Sequence, residues 1–139
     1  MNKAFDFLKH RATMNGEPVN YLSTIDGDRP SCRPFGDPVL YDGRIYALTL
    51  RHKSVSQQLA ANHHACIVAY DGQNWLRINC DMIDDSNNLG AKQVILDEFD
   101  WAEEAGYTLD NPDFQIFYLA NASATLANSD GDILWREAF

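Results

Sequence analysis

Residues 39–57 read VLYDGRIYALTLRHKSVSQ, and this stretch decides the fold. Two runs rich in aliphatic, β-branched and aromatic residues, VLY and RIYALTL, flank Asp42-Gly43. A two-residue Asp-Gly loop takes the type I′ geometry whose twist matches that of paired strands, so the stretch predicts a tight antiparallel hairpin. Directly after its second strand, Ser54 and Gln57 stand at the spacing of a capping box and predict a helix over 55–62.

Upstream, VNYLSTI and SCRPF surround the turn segment Asp26-Gly27-Asp28-Arg29-Pro30 and predict an earlier hairpin. Pro34 and Pro38 lack amide donors, so the segment around them is expected to be a strand edge or an irregular stretch whose backbone groups are free for another partner, such as a ligand. Downstream, ACIVAY and WLRINCDMI flank Asp71-Gly72. In the second of these runs Leu76, Ile78, Cys80 and Met82 alternate with Trp75, Arg77, Asn79 and Asp81, which predicts one core face and one polar face. FQIFYL and ASATLAN predict the last strand pair, with Asp130-Gly131 turning into a short ILW tail. Two further helices are predicted. One covers 2–14, with Phe5, Leu8 and Ala12 on a face and Asn15-Gly16 as its stop. The other covers 87–105, with Leu89, Ile95, Leu96 and Phe99 recurring and Gly106 as its end. The sum is a single mainly β (α+β) domain over 1–139: a small antiparallel β-barrel of about six or seven strands with three flanking helices.

Composition limits the function. Twenty acidic against eleven basic residues give a net charge of -9, which repels a polyanion and argues against a nucleic-acid partner. No apolar run approaches the ~20 residues that span a bilayer, and MNKAFDFLKHRATMNG has no signal-peptide core, so a cytoplasmic protein without a membrane partner is expected. Cys32, Cys66 and Cys80 form an odd set without C-x-x-C and are read as buried thiols. His63-His64 with Cys66 is not read as a metal site, because adjacent histidines are expected to point in different directions. Asp81, Asp84 and Asp85 read as a solvated face and a helix start, and no G-x-S-x-G turn or dinucleotide glycine loop is present. Tyr41, Tyr46, Trp75, Phe114, Phe117 and Tyr118 could stack on a planar ligand, but aromatics in strands are first of all core or interface.

The net charge conceals a local reversal. Between residues 29 and 53 stand Arg29, Arg33, Arg44, Arg51 and Lys53 against only Asp37 and Asp42, a positive stretch suited to a small anionic ligand. Thr49 ends a predicted strand, Arg51 and Lys53 follow at period two, and Ser54 opens a helix whose first amides lack partners. A phosphate placed there would meet a hydroxyl, cations and the helix dipole together.

Four pieces, taken in order, resemble the flavin-binding split β-barrel family that includes the pyridoxamine 5′-phosphate oxidases and the nitroimidazole-resistance type proteins. They are YLSTIDGDRPSCRPFG, DGRIYALTLRHKSVSQQLAANHHACIVAYDG, WLRINCDMIDD and FQIFYLANASATLAN, together spanning roughly 21–128. The resemblance implies FMN at the interface of a homodimer. Arg33, Pro34 and Phe35 would line the flavin, Thr49, Arg51 and Lys53 would hold the ribityl phosphate, and Asn74 and Trp75 would reach the cofactor from the partner subunit. The oxidases are similar to one another in a longer C-terminal segment of substrate-binding arginine and histidine, whereas this sequence closes on ILWREAF. That departure argues against vitamin B6 oxidation, and the short phosphate-binding stretch, with Lys53 only four residues beyond Thr49, is closer to the nitroimidazole-resistance type. The implied activity is an FMN-dependent oxidoreductase that takes electrons from NAD(P)H and reduces a small organic acceptor. The alternative is a non-catalytic flavin- or haem-binding carrier or sensor.

Overall fold

The computed structural model describes residues 2–10, 13–14, 17–36 and 38–139. Its elements, in chain order, are α1 (Lys3–His10), β1 (Thr13–Met14), β2 (Glu17–Pro18), β3 (Asn20–Asp26), β4 (Arg29–Phe35), β5 (Val39–Tyr41), β6 (Arg44–Leu50), α2 (Ser54–Ala61), β7 (His64–Tyr70), β8 (Trp75–Asp84), α3 (Leu89–Glu98), β9 (Phe114–Ala127) and β10 (Ile133–Ala138). β1 and β2 pair only with each other. The other eight strands form one antiparallel sheet in the order β4-β3-β7-β8-β9-β6-β5, with β10 added on β9. The sheet curls without closing, so β4 and β5 remain as edges. The expected mainly β split barrel is the architecture observed, with eight strands in the main sheet where six or seven were expected.

The Asp42-Gly43 hairpin forms as predicted, with Tyr41 opposite Arg44 and both loop residues at positive φ, 50° and 74°. The first hairpin is equally tight, closing over Gly27-Asp28 between Asp26 and Arg29. In β8 the alternation holds: Leu76, Ile78, Cys80 and Met82 are buried, and their neighbours face outward. β9 departs from expectation, because the two runs read as a strand pair are one 14-residue strand. Asn121 sits at its middle with φ 49°, beside a register shift between Asn79 and Asp81 of β8. That left-handed residue bends the strand instead of reversing it, and it separates the two partners on one edge of β9. β6 pairs with 114–118 and β10 with 123–127, while β8 runs along the other edge.

The helices are shorter than predicted. α1 stops at His10, and residues 13–14 belong to β1; its proposed stop at Asn15-Gly16 lies outside the described residues. The Asn2 side chain accepts from the Phe5 amide, and the Glu137 carboxylate accepts from the amides of Lys3 and Ala4, tying the helix start to β10. α2 starts at Ser54 itself, so Lys53 is its N-cap and the expected Ser54–Gln57 box does not form. α3 is capped by Asn88, which accepts from the Ala91 amide, and ends at Glu98. Phe99 then turns extended and is buried beside Trp101 and Tyr107, so packing ends the helix well before Gly106.

Two apolar cores result, with β6 as the wall between them. Ile45 and Ala47 face the first, with Leu22, Ile67, Leu76, Ile78 and Leu119. Tyr46 faces the second, with Ala91, Ile95, Phe99, Phe114 and Ile116 beneath α3. No helix among the described residues is long and apolar enough to cross a membrane.

Candidate functional site

Between the free edge strand β4 and the wall strand β6 lies a cleft of about 180 Å³. Arg33, Pro34 and Phe35 line one side, Thr49 and Lys53 the other, and Val55 and Leu59 bring in the start of α2. Five of the eight residues read from sequence as cofactor contacts thus meet at one opening.

Thr49 closes β6 opposite Gln115 of β9. The residue is only 7% exposed and lines the cleft, and its hydroxyl makes no hydrogen bond among the described residues. Lys53 follows a tight return in which its amide donates to the Leu50 carbonyl, and its own carbonyl accepts from Ser56 as α2 begins. Its exposed ammonium has no acidic partner among the described residues. Arg33 is held differently. Its guanidinium donates to the Thr24 hydroxyl at 2.7 Å, to the Gln58 side-chain carbonyl at 2.7 Å, to the Ser31 hydroxyl at 3.0 Å and to the Leu22 and Ser31 carbonyls. All these acceptors are neutral, so the charge is fixed in place without being cancelled; burial draws its pKa downward. The cleft therefore offers two positive charges, a hydroxyl and the helix start at one end, and apolar wall from Phe35, Ala47 and Phe117 elsewhere.

The remaining three candidates lie apart. Arg51 donates from Nε to the Pro112 carbonyl at 2.9 Å and borders a separate groove with Ser86, Asn87 and Lys92. Asn74 belongs to the turn between β7 and β8, where its amide donates to Asp71, and Trp75 lies under the Arg77 guanidinium. Neither Asn74 nor Trp75 lines the cleft of its own chain. Sequence reading missed Trp101 and Tyr107, which do line it. Trp101 lies where a continuous helix was expected and Tyr107 just past its expected end, and the only signal was the unusual density of aromatics around Gly106. Of the six aromatics considered for stacking, Phe117 alone borders the cleft, while Tyr46 and Phe114 are core.

Hydrogen-bond networks brace the walls. Ser56 donates to Gln115, Gln115 donates to Asp84, and the Ser86 hydroxyl donates to Asp84, linking α2, β9 and β8. Partial burial alone would raise the Asp84 pKa, but these hydrogen bonds and the Arg51 charge hold it below the usual carboxylate range. The Tyr46 hydroxyl donates to Asp85 at 2.7 Å, and burial together with that bond pushes its pKa up to about 12. Burial likewise pushes the Cys80 thiol up to about 12 and the Cys66 thiol upward, so both stay protonated at neutral pH. The expectation of three buried thiols holds for Cys80 alone: Cys66 is half-buried, and edge strand β4 leaves Cys32 exposed. The histidines are a second correction. His63 precedes β7 rather than lying within it, and its ring turns beside that of His64, so both face Asp81.

No protein-family model matches the chain, and no curated protein matches it. Solved structures do share its shape. A NimC/NimA family protein from Clostridium acetobutylicum is 24% identical over 97% of this chain and 91% of its own, with a TM-score of 0.83. A pyridoxamine 5′-phosphate oxidase-related, FMN binding protein from Nostoc punctiforme is 14% identical over 98% and 94%, with a TM-score of 0.68. A heme binding protein from Mycobacterium smegmatis is 17% identical over 87% of this chain but 52% of its own, with a TM-score of 0.62, so this chain spans about half of it. The fold is thus the split barrel shared by these proteins. The resemblance drawn from the sequence motifs is met in three dimensions by the same two groups, NimC/NimA and the oxidase-related FMN binders.

Proposed function

We propose that the cleft between β4 and β6 holds FMN and that the protein is an FMN-dependent oxidoreductase, carrying electrons from NAD(P)H to a small organic acceptor. The observation that carries this reading is the convergence on one cleft of Thr49, Lys53, Arg33 and the start of α2, with neither the Thr49 hydroxyl nor the Lys53 ammonium partnered among the described residues. The Thr49 hydroxyl is not among the buried polar atoms left without a partner, so water reaches it in the free protein, and a phosphate oxygen would take the place of that water. Bound FMN would supply the electron-transfer chemistry; the chain's part is to bind and orient it. Lys53, Thr49 and the α2 start anchor the phosphate. Pro34 and Phe35 lie on an edge strand whose outward backbone groups have no strand partner, which leaves them available to the polar rim of the ring.

The active unit in this reading is a homodimer. Ligand pockets usually enclose about 300–1,000 Å³, and the cleft of one chain falls short of that, so a second surface is needed to cover the ring. Asn74 and Trp75, which stand away from their own cleft, are the groups assigned to a partner's cofactor. A haem carrier is the second reading, because a heme binding protein has the same fold. Among the described residues that line the cleft there is no histidine or cysteine, which favours flavin over an iron ligated by either.

The test is an absorption spectrum of freshly purified protein followed by titration with FMN, read as flavin fluorescence. The reading predicts saturable quenching at one FMN per chain that is lost on combining Lys53→Ala with Arg33→Ala. FMN fluorescence unaffected by excess wild-type protein refutes it. Bleaching of the bound flavin by NADH or NADPH, with recovery on adding an acceptor, separates an enzyme from a carrier.

A further inference from the structure

A cluster on the outer face of the barrel is not used by the cleft. Asp81 lies between buried Cys80 and Met82 on an alternating strand, so its side chain points away from the cleft that Met82 lines. His64 stands directly opposite Asp81 in the β7–β8 register. Its Nδ1 is 2.6 Å from Asp81 Oδ1, and His63 Nε2 is 3.6 Å from the same oxygen. We infer that His63, His64 and Asp81 form a binding site for one divalent transition-metal ion of the zinc type.

The geometry needs little adjustment. Zinc ligands at about 2.0–2.2 Å from the metal stand roughly 3.3–3.6 Å apart in a tetrahedral shell. One donor atom from each of the three side chains already lies within 4.8 Å of the others. The remaining shift falls on the imidazoles, whose side chains are 53% and 65% exposed and free to rotate. The backbone beneath them is fixed: the Met82 amide donates to the His63 carbonyl at 2.8 Å, and the His64 amide donates to the Asn62 side chain at 3.0 Å. The carboxylate is also oriented from behind, because Asn121 Nδ2 donates to Asp81 Oδ2 at 3.0 Å. Asn121 can do so because its left-handed φ of 49° sits at the register shift beside Asp81.

Two imidazoles address one carboxylate oxygen. A single doubly charged ion satisfies both nitrogens and the carboxylate at once, and leaves a coordination position open to water. The net charge of -9 attracts such a cation. The ion would clip the start of β7 to β8, and to β9 through Asn121.

Untagged protein stripped with a chelator and titrated calorimetrically with Zn²⁺ alone tests the site, with Co²⁺ absorption reporting coordination geometry. The expected result is one ion per chain, bound at micromolar or lower concentration and raising the thermal midpoint. Asp81→Asn and His64→Ala should each abolish binding while keeping the wild-type circular dichroism. Asn121→Gly, which tolerates the positive φ, should weaken it by about 10–100-fold as a positioning effect. Absence of saturable binding overturns the inference. So does binding of unchanged affinity in both Asp81→Asn and His64→Ala, which would place the ion elsewhere, for instance on the Cys32 thiol.

Discussion

Replacing Thr49 by valine separates a ligand-binding hydroxyl from a structural one, because the two roles predict opposite signs. Valine keeps the β-branched shape that a strand favours, so β6 and its register with β9 are retained. In the free protein the lost hydroxyl forms no hydrogen bond to a described residue, so there is no such bond to forfeit. Removing a hydroxyl without a protein partner from a residue that is 7% exposed should leave stability unchanged or raise it by up to about 1 kcal/mol. In the complex the lost interaction is a hydrogen bond to a charged phosphate, worth about 1.5–3 kcal/mol. At about 1.4 kcal/mol per decade, FMN affinity should fall by roughly 10–150-fold. Urea unfolding of the flavin-free protein and fluorescence titration with FMN measure the two quantities on the same preparations. A variant that loses more than about 1 kcal/mol of stability while binding FMN like the wild type would refute the assignment of this hydroxyl to a ligand.

Asn20 is fully buried, and neither polar atom of its side chain has a partner, so Asn20→Leu should stabilise the protein by about 1–3 kcal/mol. A urea midpoint that moves down at constant slope would contradict this. Tyr46→Phe removes the donor to Asp85 Oδ2 and should destabilise by about 1–3 kcal/mol. Ultraviolet titration should also show the last tyrosine step, near pH 12, disappear in that variant. Asp84 has a lowered pKa in the folded state, so its contribution is present above the ordinary carboxylate value of about 3.9 and is lost as pH falls through the lower native value. Asp84→Asn should therefore be less stable at neutral pH and show a shallower loss below about pH 4. Superimposable acid limbs for variant and wild type would count against the network.

What was legible in the sequence was legible for local reasons. Asp42-Gly43 carries its own backbone preference, and the alternation in β8 records a strand with one face in the core. The positive stretch around Thr49 and Lys53 could be read because charge needs no knowledge of the fold. The failures come where distant contacts override local signals. Ser54 has the side chain of a cap, but the return from Leu50 to Lys53 starts the helix one residue early, leaving Ser54 inside it. The pattern after Leu96 remains helical, yet burial of Phe99 against Tyr107 and Trp101 ends α3 and places two aromatics at the cleft. β9 looked like two strands because FQIFYL is buried on both faces while ASATLA alternates, and nothing local marks Asn121 as a bend rather than a turn. Arg51 shares the charge and spacing of Lys53, but its bond to Pro112 carries it to a different groove.

β9 hydrogen-bonds to three strands, one of which, β6, was laid down more than sixty residues earlier in the chain. Until residues 114–118 leave the ribosome, β6 has only the three-residue β5 beside it, and the wall of the cleft lacks its permanent neighbour. Assembly must therefore wait for the synthesis of β9, and closing such long loops slows the search. A nascent chain stopped short of Phe114 should be protease-sensitive throughout β5 and β6, and the cleft should appear only in the last stage of folding.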